Sequence, residues 1–228
     1  MKFFGNMRAL NNKLNIAGVS AVDLAKEYGT PLYVMDEQLI RDNCKRFYNA
    51  FTVGKEKNKV AYAGKAFLTI AICEIIKSEG LFLDVVSGGE LYTAYKAGFP
   101  LEKVYFHGNN KTIDEIEMAI KLGVGTFVVD NLSEIKILNE TAKGKGIIQR
   151  ILLRITPGIE AHTHDYIKTG QIDSKFGFTI LNNEVEGVIK TVLGLSNIKL
   201  AGLHCHIGSQ IFELEPYRDA VAIMMSLI

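Results

Sequence analysis

Six short apolar runs punctuate the chain: KVAYA from Lys59, LFLDVV from Leu81, KVYFH from Lys103, GTFVVD from Gly125, IQRILLRI around Gln149 and IKLAGLHCHI from Ile198. The first four begin about 22 residues apart, the length of one strand, one helix and two short turns. The segments between them carry helical signals. In TIDEIEMAIKLG, Thr112 stands three residues before Glu115 as a capping box, Ile113, Ile116 and Ile120 recur at helical spacing, and Gly123 marks the stop. NLSEIKILNETAKG repeats the plan with Asn131 as cap and Gly144 at its end.

Strand and helix in alternation predict an α/β fold with a parallel sheet, because each crossover helix returns the chain to the same end. Two closures compete, an open doubly wound sheet and an eight-stranded barrel. No G-x-G-x-x-G follows the first strand, and polar residues stand just past nearly every strand: Lys65, Asp84 with Ser87, His107 with Asn109, Asp130, Arg154, and His206 with Ser209. Chemistry gathered from successive strand ends predicts a (β/α)8 TIM barrel. Six barrel strands can be counted before PYRDAVAIMMSLI, an amphipathic helix with Pro216 near its first turn. Two more units need roughly 50 residues at this period, so the expectation is a barrel truncated after about six strands. Residues 1–35 fall outside the repeat and read as a lead-in segment, with residues 36–228 the partial barrel. Within VSAVDLAKEYGTPLYVMD a short helix, then Gly29 and Pro31, then a strand are expected.

Composition narrows the class. With 48% hydrophobic residues and a formal charge of +1 over 228 residues, the chain can build a core and offers no electrostatic support for nucleic acid or membrane surfaces. Cys44, Cys73 and Cys205 have no paired spacing, which fits a reducing compartment, with the cytoplasm as the default. No window approaches the roughly 18 apolar residues that span a bilayer, and MKFFGNMRAL is too short for a secretory core.

Two stretches carry chemistry. VAYAGKAF places Lys65 beyond a strand, on Gly64 and between small residues; a lysine partly desolvated at a barrel mouth has its pKa lowered enough to form a Schiff base, whereas a solvated loop lysine does nothing. In LAGLHCHIGSQ, strand alternation points His204 and His206 the same way and Cys205 toward the helices. That pair admits three readings: packed core, a metal site completed by Asp84, His107 or Asp130, or a cofactor site in which an aromatic face is followed by an anion nest at Gly208 and Ser209. Ser87 and Glu90 also read as a capping box, Arg154 as a buried ion pair, and His162, Thr163 and His164 as a solvated polar loop. Met224 and Met225 read as helix packing.

Five motifs in order, AYAGKAF, LDVVSGGEL, FHGNNKT, LLRITPGIEAHTHDYIKTGQIDSKFGF and GLHCHIGSQ, closely resemble the diaminopimelate decarboxylases, a family of pyridoxal phosphate enzymes with an alanine racemase-like barrel that makes lysine from meso-diaminopimelate. The likeness runs from about Val19 to the last residue. Related barrel decarboxylases share the lysine and the H-x-G-S pattern but not the stretch AHTHDYIKTGQIDSKFGF. The resemblance implies that Lys65 is the Schiff-base lysine, that His206 stacks on the pyridine ring, and that Ser209 grips the phosphate. Asp84 matches the aspartate of the L-D-V-x-S motif near the cofactor, Arg154 an arginine lining the site, and His204 a hydrogen-bonded histidine behind it. Lys65 and His206 are thus the implied catalytic residues. The family's full enzyme is a head-to-tail homodimer with a second, mostly β domain, and its remaining site residues belong to a later half, so this chain alone is expected to turn over little or nothing. Rival readings are a barrel decarboxylase for ornithine, arginine or carboxynorspermidine, and a metal-dependent barrel hydrolase using His204 and His206.

Overall fold

The structure is a computed structural model describing residues 3–51, 58–159, 176–181 and 184–228. Strands β1 (Met7–Leu10), β2 (Lys13–Ile16) and β3 (Val19–Ser20) pair antiparallel in a small sheet of their own. The short helix that the sequence predicts is α1 (Ala21–Tyr28), ended by Gly29, and the Ser20 hydroxyl caps its start. The strand expected after Pro31 does not form: residues 32–35 lie in no strand, and Tyr33 is 98% exposed. A strand exists only by pairing, and residues 32–35 pair with neither sheet.

From α2 (Glu37–Phe51) onward the predicted alternation takes shape. Strand β4 (Ala61–Ala63) leads through a 3-10 turn at Gly64–Ala66 into α3 (Ile70–Ser78), and β5 (Phe82–Val85) into α4 (Gly88–Lys96). Then come β6 (Val104–Phe106) with α5 (Ile113–Leu122), β7 (Thr126–Val129) with α6 (Leu132–Gly144), and β8 (Gln149–Thr156). A two-residue strand, β9 (Phe178–Thr179), precedes α7 (Glu184–Leu193), β10 (Ile198–Cys205) and α8 (Glu215–Ser226). Helix α6 runs through Gly144, and the turn follows at Gly146, whose φ of 65° is left-handed.

All pairings in the larger sheet are parallel, in the order β10-β8-β7-β6-β5-β4. Strand β9 also pairs with β8, at Ile155 and Thr156. Because Cys205 of β10 already occupies one edge of Ile155, β9 takes the other edge, past the end of β7. Among the described residues β4 and β10 each keep an unpaired edge, so the barrel is not closed within them.

Alternation along each strand separates two faces. Leu83, Val85, Phe106, Phe127, Ile151 and Leu153 are wholly buried against the helical layer, with the Phe106 and Phe127 rings 5.6 Å apart. Asp84 and Arg154, one residue out of step, turn to the other face. Both lie inside their strands, not past them as the sequence reading had it, because β5 and β8 each run on beyond the polar residue. No described helix is long and apolar enough to cross a membrane.

Candidate cofactor site

The C-terminal ends of the parallel strands surround a cavity of about 470 Å³, within the ordinary size range of small-molecule sites. Its lining brings together all five residues singled out from sequence: Lys65, Asp84, Arg154, His206 and Ser209. Each comes from a different place. Lys65 sits in the turn after β4, where Gly64 is obligatory in shape: a Cβ there would lie 2.8 Å from the Asp84 carbonyl oxygen. Asp84 is paired in register with Ala63 and Tyr105, and Arg154 with His204. His204 and His206 both face the cavity, while Cys205 packs beside Ile159, Ile207 and Ala220.

Lys65 is exposed at the mouth, which corrects the expectation of a partly desolvated amine; β4 is an edge strand, so that side of the mouth is open to solvent. Its charge still reaches inward and favours the ionised form of Asp84 and the neutral form of His206. Burial dominates the rest. Desolvation raises Asp84 to about 7 against the opposing pull of Lys65. Desolvation also lowers His107 to about 2 and His204 to about 3. His107 Nε2 lies 3.4 Å from Asp84 Oδ1, but a neutral imidazole makes this a dipolar contact and not an ion pair. The His107 and His204 rings meet edge to face at 4.7 Å.

Two buried polar atoms, Asp84 Oδ1 and His204 Nδ1, have no hydrogen-bond partner among the described residues, although both side chains line the cavity. The expectation of a hydrogen-bonded core histidine at 204 is met only in its packing: the ring is buried, and its Nδ1 has no partner among the described residues. Among the described residues no three His, Cys, Asp or Glu side chains gather as a metal-ligand set. All three cysteines are free, and burial pushes the Cys73 thiol up to about 11. The Ser87 hydroxyl does cap α4, accepting from the Glu90 N–H at 3.3 Å, while the Glu90 carboxylate accepts from the Val86 N–H at 2.7 Å. His162, Thr163 and His164 lie outside the described residues.

Sequence reasoning missed Phe176, which lines the cavity and carries the Arg154 guanidinium 4.2 Å above its ring. No periodicity marks it, because SKFGF is too short and too polar to show a strand pattern of its own. It also missed the burial of Lys111, whose side chain is 1% exposed; a lysine in the polar run GNNK carries no signal of that kind.

Residues 37–228 match the family model described as pyridoxal-dependent decarboxylase, pyridoxal binding domain. The chain belongs to the pyridoxal-dependent decarboxylases, and the cofactor of this domain is pyridoxal phosphate. Within that class it is similar to diaminopimelate decarboxylases: 56% identical over 200 residues to that of Bacillus subtilis (88% of this chain, 46% of the relative) and 51% over 213 residues to that of Bacillus methanolicus (92% and 49%). The crystal structure of diaminopimelate decarboxylase from M. jannaschii in co-complex with L-lysine superposes with a TM-score of 0.90 at 37% identity, covering 98% of this chain and 52% of that one. A lysine/ornithine decarboxylase from Vibrio vulnificus, 22% identical with a TM-score of 0.73, shares the fold. The chain spans about half the length of the curated relatives it matches.

The site fits the cofactor on its own terms. It offers an amine, a packed imidazole wall, a hydroxyl beside a glycine of φ 137°, and two buried polar atoms, unpartnered among the described residues, for the polar edge of a ring.

Proposed function

We propose that this chain carries the cofactor-binding part of a meso-diaminopimelate decarboxylase, which forms L-lysine. The observation that carries the reading is the convergence of Lys65, His206 and Ser209 on one cavity in a chain whose relatives bear that name. The Lys65 amine would hold the cofactor covalently, which its place at the mouth supports. His206, held neutral by burial and by the nearby Lys65 and Arg154 charges, would cover one ring face and keep water from it. Ser209, beside Gly208, would bind the phosphate with its hydroxyl and the open backbone around it. Asp84 and Arg154 would set the charge around the ring. When bound, pyridoxal phosphate supplies an electron sink for the bond that loses carbon dioxide.

The same reading makes residues 36–228 the barrel part and residues 1–35 a lead-in. It is supported by the separate sheet of β1–β3 and by the family match beginning at residue 37. We also infer that these 228 residues alone turn over little substrate. Diaminopimelate carries an amino-acid group at each end, whereas among the described residues the charged side chains lining the cavity are Lys65, Asp84 and Arg154, too few of themselves to pair both ends. Carbon dioxide release at an ordinary rate of roughly 1 to 10³ per second would overturn that.

Borohydride reduction of protein grown with pyridoxal phosphate, followed by peptide mapping, tests the reading. The label is expected on Lys65 and is expected to vanish in Lys65→Ala; a label elsewhere, or none, defeats it. With the protein at its relatives' full length, a panel of diaminopimelate, ornithine, arginine and carboxynorspermidine separates the proposed substrate from those of related decarboxylases.

A further inference from the structure

Behind the cavity four charged side chains follow one another through the interior. Lys111 Nζ donates to the Gly108 carbonyl at 2.8 Å, the Val128 carbonyl at 2.8 Å and Glu134 Oε1 at 2.6 Å, which uses all three of its protons. Glu134 Oε2 accepts from the Asp130 backbone N–H at 3.1 Å. Asp130 Oδ1 accepts from Arg154 at 3.3 Å, and Oδ2 from the Gly177 N–H at 3.0 Å. Of the four charged side chains only Arg154 lines the cavity, together with Phe176 beneath its guanidinium.

Such a run is costly to bury and apolar packing would stabilise the core as well, so stability is weak ground for its presence. Geometry is better ground. The run ties four consecutive strands together: Lys111 follows β6, Glu134 and Asp130 both follow β7, Arg154 belongs to β8, and Gly177 precedes β9. Gly177 has a φ of 70°, and a Cβ on it would lie 2.6 Å from the Arg154 carbonyl oxygen. The chain can therefore come close enough for its N–H to reach Asp130. An arginine side chain has several rotatable bonds, and here the carboxylate on one side and the Phe176 ring on another remove that freedom.

We propose that Asp130 is a positioning residue for the cofactor site: anchored from behind by Lys111 and Glu134, it holds the Arg154 guanidinium at the cavity edge, where the cation meets the anionic cofactor. This rests on the cofactor reading given above. Asp130 itself touches nothing in the cavity and acts through Arg154.

A double-mutant cycle reads that dependence. The dissociation constant for pyridoxal phosphate is measured for the parent chain, Asp130→Asn, Arg154→Gln and the double variant, with thermal unfolding as the check on folding. Asp130→Asn is expected to bind about tenfold more weakly, the size of one lost charge-assisted hydrogen bond. Arg154→Gln is expected to lose as much, and the double variant no more than Arg154→Gln alone. Losses that multiply in the double variant, or an Asp130→Asn variant that binds like the parent, overturn the proposal. Should Asp130→Asn fail to fold, the charge-removing pair Lys111→Met with Glu134→Gln takes its place in the cycle, with the same expectation. Borohydride labelling of the parent keeps the two ideas apart: no label on Lys65 defeats the cofactor reading, whereas a labelled Lys65 with multiplying losses defeats only the role of Asp130.

Discussion

Asp84 and His107 share one contact and respond to acid in opposite senses. Burial raises Asp84 from 3.8 to about 7, so between those values the folded chain keeps a proton that the unfolded chain has released. That contribution to stability is present in acid and is lost as the pH rises through about 7. Burial lowers His107 from 6.5 to about 2, so the unfolded chain takes up a proton below 6.5 that the folded chain refuses. Its contribution is present above 6.5 and falls as the pH drops. In the cofactor-free chain, Asp84→Asn should therefore raise Tm relative to the parent more at about pH 8 than at about pH 4, and His107→Asn should flatten the loss of Tm below about pH 6. Thermal scans across that range check both; profiles parallel to the parent's would show that neither group titrates as its burial requires. Next to them, Gly64→Ala should cost about 1–3 kcal/mol in urea unfolding, because the added methyl meets backbone, which does not yield as a side chain does.

At the scale of elements, three crossover helices open with the same device. Ser87, Thr112 and Asn131 cap α4, α5 and α6, and the glutamate three residues on, Glu90, Glu115 or Glu134, turns its carboxylate back to backbone N–H groups. These caps could be read from S-x-x-E, T-x-x-E and N-x-x-E alone, since both partners are local. Their second contacts could not. Glu115 Oε1 accepts from the Gly88 N–H at 2.7 Å, tying α5 to the start of α4, and Glu134 takes the buried Lys111. Glu115→Ala removes acceptors from two helix starts at once and should cost about 1–2 kcal/mol in denaturant unfolding; a cost near zero would mean water replaces both bonds.

Across the whole molecule, burial is uneven. The helical face of the sheet is closed, while α8 leaves Val221 and Met225 62% and 63% exposed near an apolar groove lined by Leu203, Cys205 and Ile207. Exposed apolar surface of this extent draws apolar partners. Val221→Lys with Met225→Lys is expected to reduce binding of an apolar dye such as ANS while leaving Tm within about 3 °C, since substitutions of exposed side chains are close to neutral. A large drop in Tm would show that these side chains pack more than their exposure indicates.

The amino-acid sequence by itself determined the strand and helix alternation, the helix caps, and the set of polar residues at strand ends, because each of these rests on contacts between near neighbours or on a short period. Tertiary structure alone decided that Asp84 and Arg154 sit within their strands, that Lys65 stands at an open mouth, that β9 pairs with β8, and that Phe176 joins the site. It also placed Lys111 in the core, three hydrogen bonds deep. Those outcomes depend on which strand edge lies beside which and on how much water the packed chain excludes, and neither quantity is carried by spacing along the chain.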